Sequence, residues 1–162
     1  MMYPPDLQSE LIETAEAMAD AAGAVTLKYF RRADLANQSK ARARFDPVTV
    51  ADQEADAAMR RVLADRRPGD GILGEEHGQI DGSTGLTWIL DPIDGTRGFI
   101  SGTPTWGVLI ALSDADGPQM GIVEQPYIGE RFFGGFGRAE MTGPQGTAQL
   151  ATRAARPLAE AT

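Results

Sequence analysis

The spacing of apolar residues changes once along this chain, near residue 70, and that change limits the folds open to it. Before residue 70, apolar residues recur every three or four positions, as in amphipathic helices. After residue 70, short apolar runs alternate with segments rich in glycine, proline and aspartate, which indicates strands joined by turns. Helices followed by several strands predict a layered α/β or α+β fold.

Two helices are predicted in the N-terminal part. The first spans residues 6–31, with Asp6 as its N-cap, and the second begins near Thr49. Thr49 and Asp52 fit a capping box, in which each side chain accepts a hydrogen bond from an otherwise unpaired backbone amide. The segment Pro68-Gly69-Asp70 is expected to end the second helix.

Five apolar runs follow as candidate strands: Ile72-Leu73, Leu86–Leu90, Trp106–Leu112, Met120–Val123 and Arg131–Phe133. A turn-forming segment, residues 114–118, separates the third run from the fourth, so these two are predicted to form a hairpin. Residues 138–162 contain few large apolar residues. We therefore expect a folded N-terminal portion over residues 1–137 and a truncated or flexible tail over residues 138–162.

Composition excludes several kinds of site. The chain has 162 residues, no cysteine and one histidine, which rules out disulfides, thiolate metal sites and histidine-rich zinc sites. The net charge of −8 argues against binding to a nucleic acid backbone, which requires clustered Lys and Arg. There is no apolar run of about 18 residues, so no membrane span is expected. The N-terminus lacks the pattern of a secretory signal, which makes the cytoplasm the default location.

Most of the negative charge is local. Residues 45–96 contain 11 acidic residues and four basic ones, which accounts for nearly all of the net charge. Within this window an apolar strand is followed by Asp91-Pro-Ile-Asp94-Gly-Thr96. Two carboxylates on a stiff turn, with the carbonyl of Ile93 between them, suit hard cations such as Mg²⁺. A turn that merely ends a strand explains the same spacing equally well.

Two further acidic segments have simpler explanations when each is taken alone. Ile72-Leu-Gly-Glu75-Glu76 repeats the pattern of a strand that ends in acids, but a solvated strand end accounts for it. Asp52 needs no role beyond helix capping. His77, which follows Glu76, is interpreted as an exposed loop histidine rather than as a supporting or substrate contact.

Taken together, three segments resemble the inositol monophosphatase family of Mg²⁺-dependent phosphatases. They are Pro47-Val-Thr-Val-Ala-Asp52, Gly74-Glu75-Glu76 and Asp91-Pro-Ile-Asp-Gly-Thr96 followed by Phe99. The resemblance implies the sugar-phosphatase-like fold, an α+β or α/β layered sandwich with two N-terminal helices packed on a mostly antiparallel sheet. The family's Trp-Asp-x-Ala motif does not follow Arg138, so the C-terminal half of that fold is expected to be lacking.

The resemblance also implies that residues 1–137 are the N-terminal metal-binding portion of such a domain, and that this portion binds two or more Mg²⁺ ions. Glu75, Asp91 and the Ile93 carbonyl are expected to bind the first ion. Asp91 is expected to bridge to a second ion that Asp94 helps to hold, and Glu76 to support the site.

The catalytic roles are likewise implied by the resemblance. Asp52 and Thr96 are expected to orient and deprotonate the attacking water, and the amides of Gly95 and Thr96 to hold the phosphate. Family members usually carry a lysine before the Pro-Val-Thr segment. Here Arg42 and Arg44 stand nearest, and Lys40 lies further back.

Three functions remain open on the sequence alone. The segment 97–112 looks most like the bacterial histidinol-phosphate phosphatase branch, so hydrolysis of histidinol phosphate is favoured. An inositol-1-phosphate phosphatase of the same family is the alternative. A different class is a catalytically incomplete, divalent-metal-binding interaction module. If the chain is an enzyme, its partner is a small phosphorylated metabolite, and an exposed sheet edge leads us to expect a homo-oligomer.

Overall fold

A computed structural model describes residues 3–32, 47–155, 157 and 159. Its helices are α1 (Pro5–Tyr29), α2 (Pro47–Arg66) and α3 (Thr96–Ser101). No helix of the described residues is long and apolar enough to cross a membrane. The basic residues Lys40, Arg42 and Arg44 lie outside the described part of the chain.

Both long helices begin at a proline, which differs from the predicted starts. Pro4 occupies the N-cap position of α1, so Asp6 lies in the first turn instead of at the cap. Proline suits a helix start because its missing N–H would have no partner there. Helix α2 begins at Pro47, which places Thr49 inside the helix. The predicted capping box of Thr49 and Asp52 is therefore wrong.

Eight strands form one sheet among the described residues. They are β1 (Gly71–Gly74), β2 (Gly78–Ile80), β3 (Thr87–Asp94), β4 (Gly107–Asp114), β5 (Gly117–Gln125), β6 (Glu130–Gly135), β7 (Arg138–Gly143) and β8 (Gly146–Gln149). The order across the sheet is β2-β1-β3-β4-β5-β6-β7-β8. Strand β1 runs parallel to β3, and every other neighbouring pair in this order is antiparallel. The mostly antiparallel sheet and the β4–β5 hairpin confirm the sequence prediction.

The structure differs from expectation beyond residue 137. Strands β7 and β8 extend the same sheet through residues 138–149, where a truncated or flexible tail was predicted. Their residues are mostly exposed or only partly buried, so they carry no apolar alternation that a sequence pattern would reveal. A division of the chain at residue 137 remains a prediction, but such a boundary would fall inside the continuous sheet.

The main core lies between the two long helices and one face of the sheet. Its fully buried large side chains include Leu11, Met18, Met59, Trp88, Leu90, Ile110, Leu112 and Ile122. On the opposite face, register aligns five side chains from neighbouring strands: Leu109, Val123, Phe132, Met141 and Ala148. None of these five is fully buried, and Val123 is 41% exposed. One face of the sheet is therefore covered by helices, and the other presents an apolar row.

Asp70 fixes the start of the parallel strand pair. This carboxylate is 5% exposed and lies directly before β1. It accepts hydrogen bonds from Trp88 Nε1 at 3.0 Å and from Thr84 Oγ1 at 2.6 Å, and the Arg67 guanidinium binds it at 2.9 and 3.1 Å. Because Trp88 belongs to β3, the carboxylate ties the beginning of β1 to its neighbour. Four donors on one carboxylate make the buried charge tolerable.

We expect Asp70→Ala to lower the free energy of unfolding by about 3 kcal/mol, because it leaves Trp88 Nε1 and the Arg67 charge without their acceptor. Urea unfolding followed by tryptophan fluorescence measures the change. Glu10→Gln is the matched control, since Glu10 also pairs with Arg67 at 2.9 Å but is 51% exposed. That control should cost less than about 1 kcal/mol. Equal effects of the two variants would contradict the role given to Asp70.

Candidate metal centre

The parallel pairing of β1 and β3 brings acidic residues to one edge of the sheet. Register places Gly74 opposite Leu90. The residues that follow these two positions are Glu75 and Asp91, so their strands end or turn side by side. The carboxyl ends of neighbouring parallel strands are a usual place for ligand sites in α/β proteins. The sequence groups the two acidic segments by motif order, and this pairing sets their strand ends side by side.

A hydrogen-bonded turn connects β3 to α3. The Ile93 amide donates to Asp91 Oδ1 at 3.2 Å, and Thr96 Oγ1 donates to the Ile93 carbonyl at 3.3 Å. Gly95 has φ +81°, and a Cβ there would lie 2.6 Å from the Thr105 carbonyl oxygen. Only glycine satisfies both the left-handed backbone and this close approach. The turn thereby ties both the Asp91 carboxylate and the Thr96 hydroxyl to the backbone of Ile93.

The electrostatics show that the carboxylates are near one another. Burial raises the pKa of Asp91, and the negative charges of Asp94, Glu75 and Glu76 raise it further. The hydrogen bond from the Ile93 amide opposes this shift. Like charges held this close favour the protonated carboxyl unless a cation compensates them. Four of the predicted site residues are thus brought within electrostatic range.

These residues fit a hard divalent cation by their chemistry. The donors are carboxylates and one backbone carbonyl, which are the oxygen ligands that Mg²⁺ prefers. Within the described ranges, no three acidic or histidine side chains are grouped tightly enough to coordinate one ion as they stand. The fit therefore rests on the donor set and on the repulsion at Asp91. The number of ions stays a prediction.

A buried aromatic cluster lies beside the turn. Phe30, Phe99 and Trp106 pack with ring centroids 4.9–5.4 Å apart, together with Ile93 and Ala51. This cluster joins the end of α1, the first half of α2 and the short helix α3. It fixes the direction in which β3 enters α3.

Asp52 comes from helix α2, not from the strand ends that carry the other acidic residues. It is only 8% exposed in α2, and its neighbour Ala51 belongs to the same buried cluster as Ile93. Through Ala51, one residue before Asp52, helix α2 packs against the cluster that contains Ile93. Thr96 and Gly95 are exposed at the start of α3, so they are open to a ligand.

Sequence reasoning gave no role to Asp56 and Arg60. Asp56 is fully buried, and its Oδ2 accepts hydrogen bonds from Arg60 Nε at 2.7 Å and from His77 Nδ1 at 2.5 Å. His77, predicted to be an exposed loop histidine, is therefore bound to α2 although 44% of its side chain is exposed. The i, i+4 spacing of Asp56 and Arg60 was a visible signal for their ion pair. The contact with His77 crosses 21 residues and has no local signature.

A family model decides the membership of this chain. The model for the inositol monophosphatase family matches residues 7–160. The chain belongs to the inositol monophosphatase family.

Similarity to individual members of the inositol monophosphatase family points the same way. The chain is 43% identical over 129 residues to a histidinol-phosphatase from Chlorobaculum parvum, a match that covers 79% of this chain and 47% of the relative. It is 40% identical over 132 residues to a histidinol-phosphatase from Mycobacterium tuberculosis, covering 82% of this chain and 50% of the relative. A solved inositol monophosphatase from Zymomonas mobilis superposes with a TM-score of 0.73 at 36% identity, covering 91% of this chain and 55% of that one.

These matches confirm the predicted family and fold. They also show that the chain spans about half the length of the curated relatives it matches. The similarity covers the two long helices, the sheet and the acidic edge of an inositol monophosphatase domain.

The repulsion at Asp91 leads to a stability prediction. In EDTA, we expect Asp91→Asn to unfold at a higher temperature than the wild-type chain, because an amide removes a partly buried charge that its acidic neighbours oppose. The amide oxygen can still accept the hydrogen bond from the Ile93 amide. Differential scanning calorimetry measures the shift. Asp81→Asn, at an exposed carboxylate beyond β2, serves as the control and should leave the melting temperature unchanged.

Proposed function

We propose that this chain carries the metal-binding and phosphate-binding part of a metal-dependent phosphomonoesterase that acts on a small phosphate ester, with histidinol phosphate favoured. The observation that carries the proposal is the convergence of Asp91, Asp94, Glu75 and Glu76 at one sheet edge. Burial raises the pKa of Asp91, and the charges of these neighbours raise it further. The family is metal-dependent, and the two curated relatives described above are named histidinol-phosphatases.

In this proposal the cation ligands are Glu75, Asp91, Asp94 and the carbonyl of Ile93, with Glu76 in support. The Ile93 carbonyl accepts one hydrogen bond from Thr96 Oγ1, and its second lone pair remains available to a cation. Bound Mg²⁺ ions, two or more, would supply a water of lowered pKa and neutralise charge on the phosphoryl oxygens. Asp94 is exposed, so a cation and a substrate both have access to it.

The remaining roles belong to Asp52, Thr96 and Gly95. Thr96 Oγ1 donates its proton to the Ile93 carbonyl, so its lone pairs are free to accept a hydrogen bond from an attacking water. Asp52 is proposed as the group that orients this water and takes its proton. The backbone amides of Gly95 and Thr96 have no partner one helical turn earlier and are proposed to bind phosphate oxygens. Because water is the nucleophile, no covalent intermediate with the protein is required.

Two alternatives are kept. An inositol-1-phosphate phosphatase uses the same chemistry, and the similarity to the Zymomonas mobilis inositol monophosphatase favours it as the second candidate. A catalytically incomplete, divalent-metal-binding interaction module is the candidate of a different class. The cluster of acidic residues at the sheet edge favours considering it, because these residues offer cation ligands whether or not hydrolysis follows.

The test is release of inorganic phosphate by the purified chain from histidinol phosphate and from inositol-1-phosphate, each with and without Mg²⁺. We expect Mg²⁺-dependent release that is faster from histidinol phosphate. Asp94→Asn should reduce phosphate release by at least about 100-fold. The variant lacks a carboxylate proposed to hold the cation, and the cation would neutralise charge on the phosphoryl group. Asp81→Asn, an exposed acid outside the site, is the matched control and should retain full activity.

Each outcome selects one function. Faster release from inositol-1-phosphate would favour the second candidate. Mg²⁺ binding by calorimetry without hydrolysis of either ester would favour the interaction module. Absence of both binding and hydrolysis would overturn the proposal.

Self-association is proposed on the basis of the last strand. Among the described residues, β8 has β7 as its one neighbour in the sheet, and all four of its residues are exposed. The Leu150 amide donates to the Ala139 carbonyl at 2.8 Å. Since such pairs alternate along antiparallel strands, the amides of Thr147 and Gln149 point away from β7. An edge with free amides can pair with a second copy of the chain.

We expect the purified chain to sediment as a dimer or larger species in analytical ultracentrifugation. Thr147→Pro removes an outward amide without removing a bond to β7, so it should shift the chain to monomer if copies meet edge to edge. Val123→Lys, on the uncovered face, should shift it instead if copies stack face to face. A monomeric wild-type chain would contradict the proposal.

A further inference from the structure

The loop that carries Glu75 and Glu76 is anchored to helix α2 at its far end. Strand β1 ends at Gly74 and β2 begins at Gly78, which are opposite each other in register, so only three residues form the loop. Its last residue, His77, donates from Nδ1 to Asp56 Oδ2 at 2.5 Å. Arg60 Nη2 donates to the carbonyl of Gly78 at 2.8 Å. Two adjacent positions of the hairpin are therefore bound to one buried ion pair.

The anchor also explains the glycine before the two glutamates. A Cβ on Gly74 would lie 2.6 Å from Arg60 Nη2 and 2.9 Å from Asp56 Oδ1. Any side chain at this position would require the Arg60 guanidinium and the Asp56 carboxylate to shift from their present places. Gly74 therefore allows the ion pair to sit directly beneath the strand that delivers Glu75.

Asp56 carries a cost that stability alone does not account for. It is fully buried, and its Oδ1 has no hydrogen-bond partner among the described residues. A buried carboxylate oxygen without a donor destabilises the folded chain. An aspartate occupies this position despite the cost. Costly groups of this kind are common where a residue holds a functional site in place.

The same helix carries Asp52 one turn before Asp56. Both side chains are buried, and their i, i+4 spacing places them on one face of α2. The candidate base Asp52 and the anchoring residue Asp56 therefore keep a fixed separation along one helix. Because β1 runs parallel to β3 with Gly74 opposite Leu90, the acidic residues of the loop follow β1 beside Asp91, and their mutual repulsion is opposed by such an anchor.

We propose that Asp56 is a positioning residue which, through His77 and Arg60, holds the Glu75–Glu76 loop in the place that divalent cation binding requires. This inference rests on the proposed function, because it takes Glu75 and Asp91 as cation ligands. Asp56 itself contacts neither substrate nor cation. Its role is to keep the hairpin on α2 against the repulsion of the neighbouring carboxylates. Partners that orient metal ligands in this way typically contribute 10- to 100-fold in metal affinity.

The experiment is isothermal titration of Mg²⁺ alone into the full chain and its variants. We expect His77→Ala and Asp56→Asn to weaken Mg²⁺ binding by about 10-fold or more. His77→Asn should restore affinity close to that of the wild type, because the Asn amide nitrogen takes nearly the position of Nδ1. His77→Gln, whose nitrogen takes the position of Nε2, should not. If the His77 contact served folding alone, the Asn and Gln variants would not differ in Mg²⁺ affinity.

Two controls separate positioning from general stability. Asp114→Asn weakens a carboxylate that accepts a hydrogen bond from the Tyr3 hydroxyl at the opposite end of the sheet. It should lower the melting temperature and leave Mg²⁺ affinity unchanged. If Asp56→Asn fails to fold, the His77 variants still decide the question, because that side chain is 44% exposed.

The outcomes distinguish this inference from the function on which it rests. Mg²⁺ binding that is lost in Asp91→Asn but unchanged in His77→Ala would overturn the positioning role and leave the proposed function standing. A wild-type chain that binds no Mg²⁺ would overturn both.

Discussion

The parallel pairing of β1 with β3 is the constraint on which the site depends. Among the described strands it is the one parallel pair in an otherwise antiparallel sheet, and it sets two strand ends side by side. Had β1 been antiparallel to β3, Glu75 would lie at the other edge, far from Asp91. The pairing is fixed by Asp70 at the start of β1, through its bond to Trp88 of β3. A structural carboxylate at one end of the pair thus determines the meeting of acidic residues at the other.

Those residues meet at an electrostatic cost that several unrelated contacts offset. The Ile93 amide stabilises the Asp91 carboxylate, and the Asp56–His77 contact holds the loop that carries Glu75. The aromatic cluster of Phe30, Phe99 and Trp106 packs against Ile93 and so keeps the β3–α3 turn in place. The Ile93 amide compensates part of the repulsion, and the other two contacts prevent the chain from moving to relieve the rest. A rigid, repulsive arrangement of this kind is poised for a cation.

How much the sequence predicted depends on the range of the interactions involved. The two helices and the β4–β5 hairpin follow from local sequence patterns, and the structure confirms them. The predicted start of the second helix was wrong because Thr49 resembles an N-cap residue, whereas Pro47, two positions earlier, begins the helix. In the first helix, Pro4 takes the N-cap position that was predicted for Asp6. Strands β7 and β8 were missed since residues 138–149 bury little. The acidic edge was predicted from motif order, but the anchor of His77 on Asp56 depends on tertiary packing that no pattern in the sequence reveals.

The uncovered face of the sheet and the candidate site are physically connected. Register aligns Asp91 with Leu109 and continues into the apolar row through Val123 to Ala148, so Asp91 stands at one end of that row. Its side chain points away from the helices, as does that of Ile89, which is 39% exposed. A partner that covers the apolar row as far as its Asp91 end would bury Asp91 further. Because burial is already the largest cause of its raised pKa, covering this face would strengthen the need for a compensating cation. Covering of the apolar row and cation binding would therefore act on the same carboxylate, that of Asp91.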